Sequence, residues 1–350
     1  PKGAVSSHRA VCQAIGNMEC SAMASAMINP EAIGAMMESG FEPTQLLGVP
    51  LFHVSGLHAV FLSAFKAGRR VVMMYKWDAD DALKLIEAEK ITAASAAPAM
   101  VLQLLESPAY DSTDTSSLFS IGAGGAATPP RASRLIDEKI PNSYAGTGWG
   151  MTESNAVGTS FTGLPFRNNP GSAGFLNPTV EISVRDADGS ELPPGVAGQL
   201  WIKSPTVINE YWRRPDANAE DFKEGWFNSG DVGYFDSQGY LYLSDRAKDM
   251  VIRGGENIYP AEIEAVLHDH PAIQEVAAFG VDDAAMGEEL AVAIVLRPGT
   301  QLNEEEVRTF AAEHLAGFKV PRYVQLLPEA LPRNASGKVL KKDLKAAFRE

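Results

Sequence analysis

The sequence predicts an α/β protein. It comprises a large domain with a parallel sheet covered by helices plus a small β-subdomain, then a compact α/β C-terminal domain joined by a hinge. Three observations predict this. Strand-like apolar runs alternate with amphipathic helical stretches through residues 45–157, the order that builds a parallel sheet beneath crossover helices. Short strands and turn signals take over at 158–245. A charged stretch with two adjacent glycines, residues 245–264, then opens a second alternation of helix and strand that runs to the end of the 350-residue chain. The implied segments are 1–157 and 158–245, together one domain, and 246–350, a second domain.

Each element has its local reason. Residues 7–40 are rich in Ala and Met with helical apolar spacing, broken at Asn29-Pro30 and at Gly40. Residues 45–52 read as a short buried strand running into His53-Val54-Ser55-Gly56. Residues 70–75 form a β-branched and Met-rich strand, 78–90 an amphipathic helix, 91–97 another apolar run and 98–105 a helix. Residues 118–121 form a strand ending in Gly122-Ala123-Gly124-Gly125-Ala126, where glycines at a strand's carboxyl end permit close approach of a ligand. The run lacks the G-x-G-x-x-G spacing of a dinucleotide fingerprint. Strands at 180–184, 198–203 and 240–243 are separated by the turn signals Asp188-Gly189 and Ser237-Gln238-Gly239. In the last segment Pro260 suits the first position of a helix over 260–268, with Glu262 and Glu264 in its first turn. Strands follow at 274–281 and 290–296, and Asn303 caps a helix reaching 315.

Composition bounds the function. At 45% hydrophobic and 21% charged, the chain can bury two full cores and is not disordered. A formal charge of -14 excludes a general nucleic-acid binder, which needs a basic face. Positive charge is concentrated locally instead, in Arg333, Lys338, Lys341, Lys342, Lys345 and Arg349. Cys12 and Cys20 lack metal-ligand spacing and no secretory signal precedes them, so a reduced, cytoplasmic setting is expected. Residues 46–65 carry no Lys, Arg, Asp or Glu and approach the length of a membrane span. Gly48, Pro50, His53, Gly56 and His58 interrupt that stretch, which reads better as a buried strand and helix.

Four runs carry chemistry. In Gly148-Trp149-Gly150-Met151-Thr152-Glu153 an aromatic plane can stack on a purine and a glycine leaves room for a substrate. The hydroxyl can bond a phosphate and the carboxylate can hold Mg²⁺. Asp231, in Gly225-Trp226-Phe227-Asn228-Ser229-Gly230-Asp231, is either a turn former or a ligand group. Lys338, after Ser336-Gly337, is either a surface residue or a point charge presented on a loop. Arg246, Lys248, Gly254, Gly255, Pro260, Glu262, Ile263 and Glu264 make up the joint itself, where glycines permit positive φ or close backbone approach.

Together these runs resemble, in order and along the whole chain, the motifs of the acyl-adenylate-forming superfamily, in particular the AMP-forming acyl-CoA synthetases. The resemblance implies ATP, Mg²⁺ and coenzyme A. A carboxylate would attack the α-phosphate to give acyl-AMP and pyrophosphate, and the CoA thiolate would then take the acyl group. It assigns Trp149 and Gly150 to the nucleotide, Thr152 to phosphate, Glu153 to the metal, and Asp231 with Arg246 to the ribose. Lys338 would touch both carboxylate and α-phosphate, Lys248 would be the hinge, and the Gly254-Gly255 face would replace Lys338 for the thioester step. Gly124, Gly125 and Ala126 would line the wall between adenine and acyl group. Pro50-Leu51-Phe52-His53-Val54-Ser55-Gly56 is similar to the segment whose His gates the acyl pocket, which favours His53 over His58. With Val54, Gly122, Gly150 and Met151, His53 would line an apolar pocket suited to a fatty or aryl acid.

The sequence departs from the family pattern at Thr147, where many members carry an amide, and at Ser229, where Thr is usual. Pro1-Lys2-Gly3 looks like the end of the family's phosphate loop, so that loop is expected to lie outside this chain. Expected partners are a small-molecule carboxylic acid and CoA, with neither nucleic acid nor a stable membrane span, and a homo-oligomer is compatible. One alternative is an adenylation domain loading a carrier-protein thiol, which Arg253-Gly254-Gly255-Glu256-Asn257-Ile258-Tyr259 disfavours. The other is a nucleotide-binding fragment inactive on its own.

Overall fold

The structure is a computed structural model that describes residues 2–125, 128, 130–140, 144–169, 171–246, 248–334 and 337–348. Of the residues singled out above, Pro1, Ala126, Ser336 and Arg349 lie outside the described residues. Chain contacts divide the molecule into two units, one running to residue 243 and one from Ser244 onward, the second also including short stretches at 129–131 and 230–232.

The first unit is built on a seven-stranded sheet in the order Arg70–Met73, Thr44–Leu47, Ala93–Ala96, Ser120–Gly124, Gly146–Trp149, Thr159–Thr162, Phe175–Leu176. Its first five strands are mutually parallel and the last two antiparallel. Parallel neighbours need crossovers, and helices Ala79–Glu89, Pro98–Glu106 and Pro130–Lys139 supply them. Asp78 caps the first of these, its Oδ1 accepting from Asp81 N at 2.9 Å. Leu83, Ile86, Leu104, Leu105, Ile121 and Ile136 are at most 1% exposed and knit helices to sheet. Burial of each such side chain contributes about 1.5–3 kcal/mol, far more than any surface pair in the unit.

Three sequence expectations are corrected here. The strand expected over 45–52 stops at Leu47. The chain turns at Pro50, whose carbonyl oxygen would lie 2.3 Å from a Cβ on Gly56, and Ser55–Leu62 then form a π-helix. The strand expected at 118–121 runs instead from Ser120 to Gly124, because Leu118 N closes a turn onto Thr115 O. Gly122 and Gly124 are thus strand residues. A Cβ on Gly122 would meet Ser95 Oγ at 2.4 Å, so its missing side chain makes room for the neighbouring strand. Finally, the strand expected at 240–243 runs instead from Leu241 to Arg246.

A second, antiparallel sheet in this part of the chain has the order Phe222–Lys223, Trp226–Phe235, Gly198–Lys203, Glu181–Arg185, with Leu241–Arg246 also paired to Trp226–Phe235. Ala4–Val5 pairs antiparallel with Glu210–Tyr211, so the first described residues lie against the strand that carries Tyr211. Helix His8–Ile28 is capped by Ser7, whose side chain accepts from Ala10 N.

The second unit has a sheet in the order Glu256–Ile258, Val251–Arg253, Gly287–Leu296, Ile273–Asp283, with Tyr323–Leu327 parallel to Gly287–Leu296. Its central strands are buried on both faces. Val276, Ala278, Val292 and Ile294 pack with Ile263, Leu267 and Val307 from helices Pro260–His268 and Glu304–His314. Ala277, Phe279, Ala291 and Ala293 pack with Leu331 and with Leu344 of helix Lys341–Ala347. Asn303 and Glu306 form the reciprocal cap that starts Glu304–His314. Among the described residues no helix is long and apolar enough to cross a membrane.

Candidate active site

The strand Gly146–Trp149 delivers the chain into a turn at Gly150, where a Cβ would lie 2.6 Å from the Ala156 backbone. Only glycine lets the loop fold back so closely. Thr152–Ser154 make one 3₁₀ turn, followed by Asn155 at φ 54° and Ala156 at φ 70°. Two consecutive left-handed residues other than glycine cost about 1–2 kcal/mol each, so something must hold them. Asn155, fully buried, donates from Nδ2 to Thr206 O at 2.7 Å and accepts at Oδ1 from Ser6 Oγ at 2.8 Å. Ile208 N donates to Glu153 O at 2.8 Å. Backbone strain held in place by a surrounding network is a mark of functional loops.

Thr152 is exposed and Glu153 half-buried. The Glu153 Oε1 accepts from the hydroxyl of Tyr211 at 2.7 Å. Burial, and then the Glu153 bond, push the Tyr211 hydroxyl well above the usual phenol range, so it remains a neutral donor. The π-helix comes near this loop too, since the Asn155 backbone acts on the His58 imidazole. His58 is 8% exposed, its Nδ1 has no partner, and burial lowers its pKa against the opposing effect of the Asn155 bond. Burial thus favours the neutral imidazole. His53 is half-buried, with its ring 4.6 Å from that of Phe52. The sequence reading set His58 aside in favour of His53 and did not single out Tyr211. No spacing in the sequence marks either one, since both meet the Thr152-Glu153 turn only through the fold.

Trp149 is 7% exposed and packs with Val157, Ala173 and Val180, so most of the indole serves as core. Thr147 donates from Oγ1 to Ala123 O at 2.9 Å. At Gly124 a Cβ would meet nothing within 4 Å, and Gly125 takes φ 84°. The Nε of Arg246 lies 3.1 Å from Oδ1 of Asp231, joining two residues that both motifs single out. Ser229 donates to Leu200 O at 2.7 Å, so its hydroxyl has a structural task.

In the second unit Gly254 and Gly255, at φ 58° and 89°, form the two-residue turn between strands Val251–Arg253 and Glu256–Ile258, with Arg253 opposite Glu256. Positive φ at both central positions is what a type I′ hairpin requires, and that requirement by itself accounts for both glycines. Lys248 is exposed in the turn closed by Asp249 N and Met250 N onto Arg246 O. Lys338 is exposed on a tight loop in which its N–H donates to Asn334 Oδ1 at 3.0 Å and its carbonyl accepts from Asn334 N at 2.9 Å. Arg333 steadies this loop, donating to Gly337 O at 2.8 Å and pairing with Glu275 at 2.8 Å.

Among the described residues no group of three or more His, Cys, Asp or Glu could enclose a metal. The donor chemistry still fits Mg²⁺: a single hard carboxylate at Glu153, one oxygen already occupied by Tyr211, suits an ion that keeps its waters and arrives on substrate phosphates.

Comparison with known proteins places the chain in a family. The family model described as AMP-binding enzyme matches residues 1–212, and the model described as AMP-binding enzyme C-terminal domain matches residues 262–338. A long-chain-fatty-acid–CoA ligase of Bacillus subtilis is 36% identical over 321 residues, which are 91% of this chain and 57% of that protein. The o-succinylbenzoate CoA synthetase of Bacillus subtilis, solved with its acyl-adenylate intermediate, superposes with a TM-score of 0.78 at 33% identity, covering 95% of this chain and 65% of that one. ATP-bound MatB of Rhodopseudomonas palustris gives a TM-score of 0.84 at 29% identity, covering 99% and 65%. The chain thus spans less than two thirds of the length of each of these relatives.

Proposed function

This chain belongs to the AMP-binding enzyme family, and from that premise we propose that the protein activates a carboxylic acid with ATP and passes the acyl group to coenzyme A. A carboxylate oxygen forms a bond to the α-phosphorus of ATP as the bond to pyrophosphate breaks. The CoA sulfur, its proton lost, then attacks the acyl carbonyl and AMP leaves. Trp149, Gly150, Gly124, Gly125 and Ala126 bind the nucleotide, Asp231 and Arg246 the ribose, and Thr152 a phosphate oxygen. Lys338 offsets the charge that grows on the α-phosphate as the acid attacks. Glu153 would hold Mg²⁺, whose chemistry is to neutralise phosphate charge. Lys248 is the hinge by which the second unit changes its task, and Gly254 and Gly255 serve the thioester step.

The observation that carries this reading is the Thr152–Glu153 turn. It is held in a strained form by Asn155, Ser6, Ile208 and Tyr211, with the threonine hydroxyl left on the surface and the carboxylate half-buried. The substrate is a fatty or aryl acid taken into an apolar pocket by His53, Val54, Gly122, Gly150 and Met151. The names of the fatty-acid and o-succinylbenzoate relatives support that class. Pyrophosphate release by the complete protein, over a panel from acetate to long-chain and aromatic acids with and without CoA, tests both points. Release with no acid at all would sink the reaction, and release with acetate alone would sink the substrate class.

A further inference from the structure

We propose that Tyr211 is a positioning residue for Glu153, fixing one carboxylate oxygen so that the other is presented to the metal–phosphate side of the site. The proposal rests on the reading of Glu153 as the metal-facing group and adds a residue to it. The contact is direct, hydroxyl to Oε1 at 2.7 Å. Glu153 sits in a single 3₁₀ turn, Thr152–Ser154, where a carboxylate without a partner would sample several rotamers. A hydrogen bond to one oxygen removes that freedom while leaving the second oxygen available.

The surroundings of Tyr211 suit this task. The residue is 3% exposed. Its N–H donates to Asn218 Oδ1 at 2.7 Å, and its carbonyl accepts from Asn218 Nδ2 at 3.1 Å. Its backbone pairs with Ala4, and its ring meets those of Phe222 and Phe227 edge-on with centroids 6.0 and 6.3 Å away. The hydroxyl is therefore placed by the core of the unit, not by the loop it supports. The same strip of chain donates Ile208 N to Glu153 O and receives Asn155 at Thr206 O, so it backs the loop at three points.

The residue type matters as much as its position. A lysine or arginine bonded to Glu153 would fix the carboxylate but also neutralise it and compete with a cation. A phenol fixes it and leaves its charge intact. A cation does lie close by, but Lys2 Nζ is placed over the face of the Tyr211 ring, 4.3 Å from its centroid, and is paired with Asp221 at 2.7 Å. That ammonium thus meets the ring face and its own counter-ion Asp221, while the phenol hydroxyl is given to Glu153.

The test is Mn²⁺ binding to the complete protein in the presence of ATP, followed by loss of the free-ion EPR signal, for Tyr211→Phe, Glu153→Gln and the double variant. We expect Tyr211→Phe to weaken Mn²⁺ binding by about 10-fold or more and to raise the Mg²⁺ concentration needed for half-maximal pyrophosphate release while leaving the KM for the acid unchanged. The double variant should bind no more weakly than Glu153→Gln alone, because a positioning residue has nothing left to position. Unchanged Mn²⁺ binding in Tyr211→Phe, or losses that simply add, would overturn the proposal while Glu153→Gln still weakened binding. If Glu153→Gln itself binds Mn²⁺ normally, the metal reading falls and takes this proposal with it. Tyr211 is a core residue, so a second measurement uses the unsubstituted fold: with ¹³Cζ-labelled tyrosine, the resonance that Glu153→Gln displaces should also move on addition of Mg²⁺ and ATP. The absence of any resonance with both responses would also overturn it.

Discussion

The Nζ of Lys341 lies 2.7 Å from Oε1 of Glu264, tying helix Lys341–Ala347 to helix Pro260–His268. Only 22% of each side chain reaches solvent. The same Glu264 oxygen accepts from Ala278 N at 2.8 Å. Asp245, the residue before Arg246, adds to the group: its Oδ2 accepts from Ala261 N at 2.9 Å, in the first turn of Pro260–His268. Burial raises the pKa of both carboxyls, against the pull of Lys341. Burial also works against the Lys341 ammonium, but the two carboxylates outweigh it and leave its pKa raised. The upstream end of the joint is thus anchored to the second unit by a mostly buried ionic group.

Lys341→Met should therefore destabilise the second unit, because it strands two carboxylates with no cation. Removing one partner of a buried pair costs about 3–5 kcal/mol, and the partial access of this pair to water reduces that to roughly 2 kcal/mol. Urea unfolding at pH 7 reads the change. Glu264→Gln in the same background should recover part of the loss, and a Lys341→Met variant as stable as the parent would refute the anchor.

A second consequence concerns pH. Burial first, and nearby guanidinium groups next, pull His268 down from 6.5 to about 4. A base with a depressed folded pKa contributes stability that is intact above 6.5 and is lost as pH falls from 6.5 towards 4, because the unfolded chain takes the proton first. The raised carboxyls of Asp245 and Glu264 act in the opposite sense, since their protonated forms are the better-buried ones. Comparison with His268→Gln isolates the histidine. The parent should lose about 2 kcal/mol relative to the variant between pH 7 and pH 4, allowing for partial exposure of the ring. Parallel pH profiles for the two proteins would contradict the assignment.

Much of this was legible in the sequence because local chemistry and the fold agree. Pro260 and the glutamates that follow start a helix over the expected residues, and Asn303 caps as its neighbours demand. The boundary errors arose where tertiary contact overrides local preference. Pro50 and Gly56 pack together and replace a strand and helix by a turn and a π-helix, and Ser95 claims the space at Gly122. In the candidate site, the run Trp149 to Glu153 could be singled out directly, because its residue types stand side by side in the sequence. Tyr211 lies 58 residues from Glu153, and His58 reaches Asn155 from a different element. Neither contact leaves a periodic or spaced trace in the chain.

The hairpin at Gly254 and Gly255 gives a prediction about conformation. Ala at either position must adopt positive φ, at about 1 kcal/mol each. Gly254→Ala carries an additional contact, since its Cβ would lie 2.6 Å from Met286 Cε, the flexible end of a side chain. Gly255→Asn should be tolerated better than Gly255→Ala, because Asn accepts left-handed backbone. Thermal unfolding of the three variants would rank them, and equal stability of Asn and Ala at 255 would argue against a type I′ turn.

Lys338 supplies the sharpest functional prediction. Its loop is held by hydrogen bonds of Asn334 and Arg333 to backbone, and Lys338→Ala removes an exposed ammonium while leaving those bonds in place. If the lysine offsets charge on the α-phosphate while the acid attacks, acyl-AMP formation should fall by about 100-fold or more, the loss expected for one group stabilising transition-state charge. Thioester formation from acyl-AMP supplied ready-made has no such charge to offset at that position and should be nearly unchanged. Single-turnover assays of the two half-reactions separate the cases. An equal loss in both halves would mean that Lys338 supports the fold or binds the acyl-AMP common to both steps, and the division of labour between the two halves would have to be abandoned.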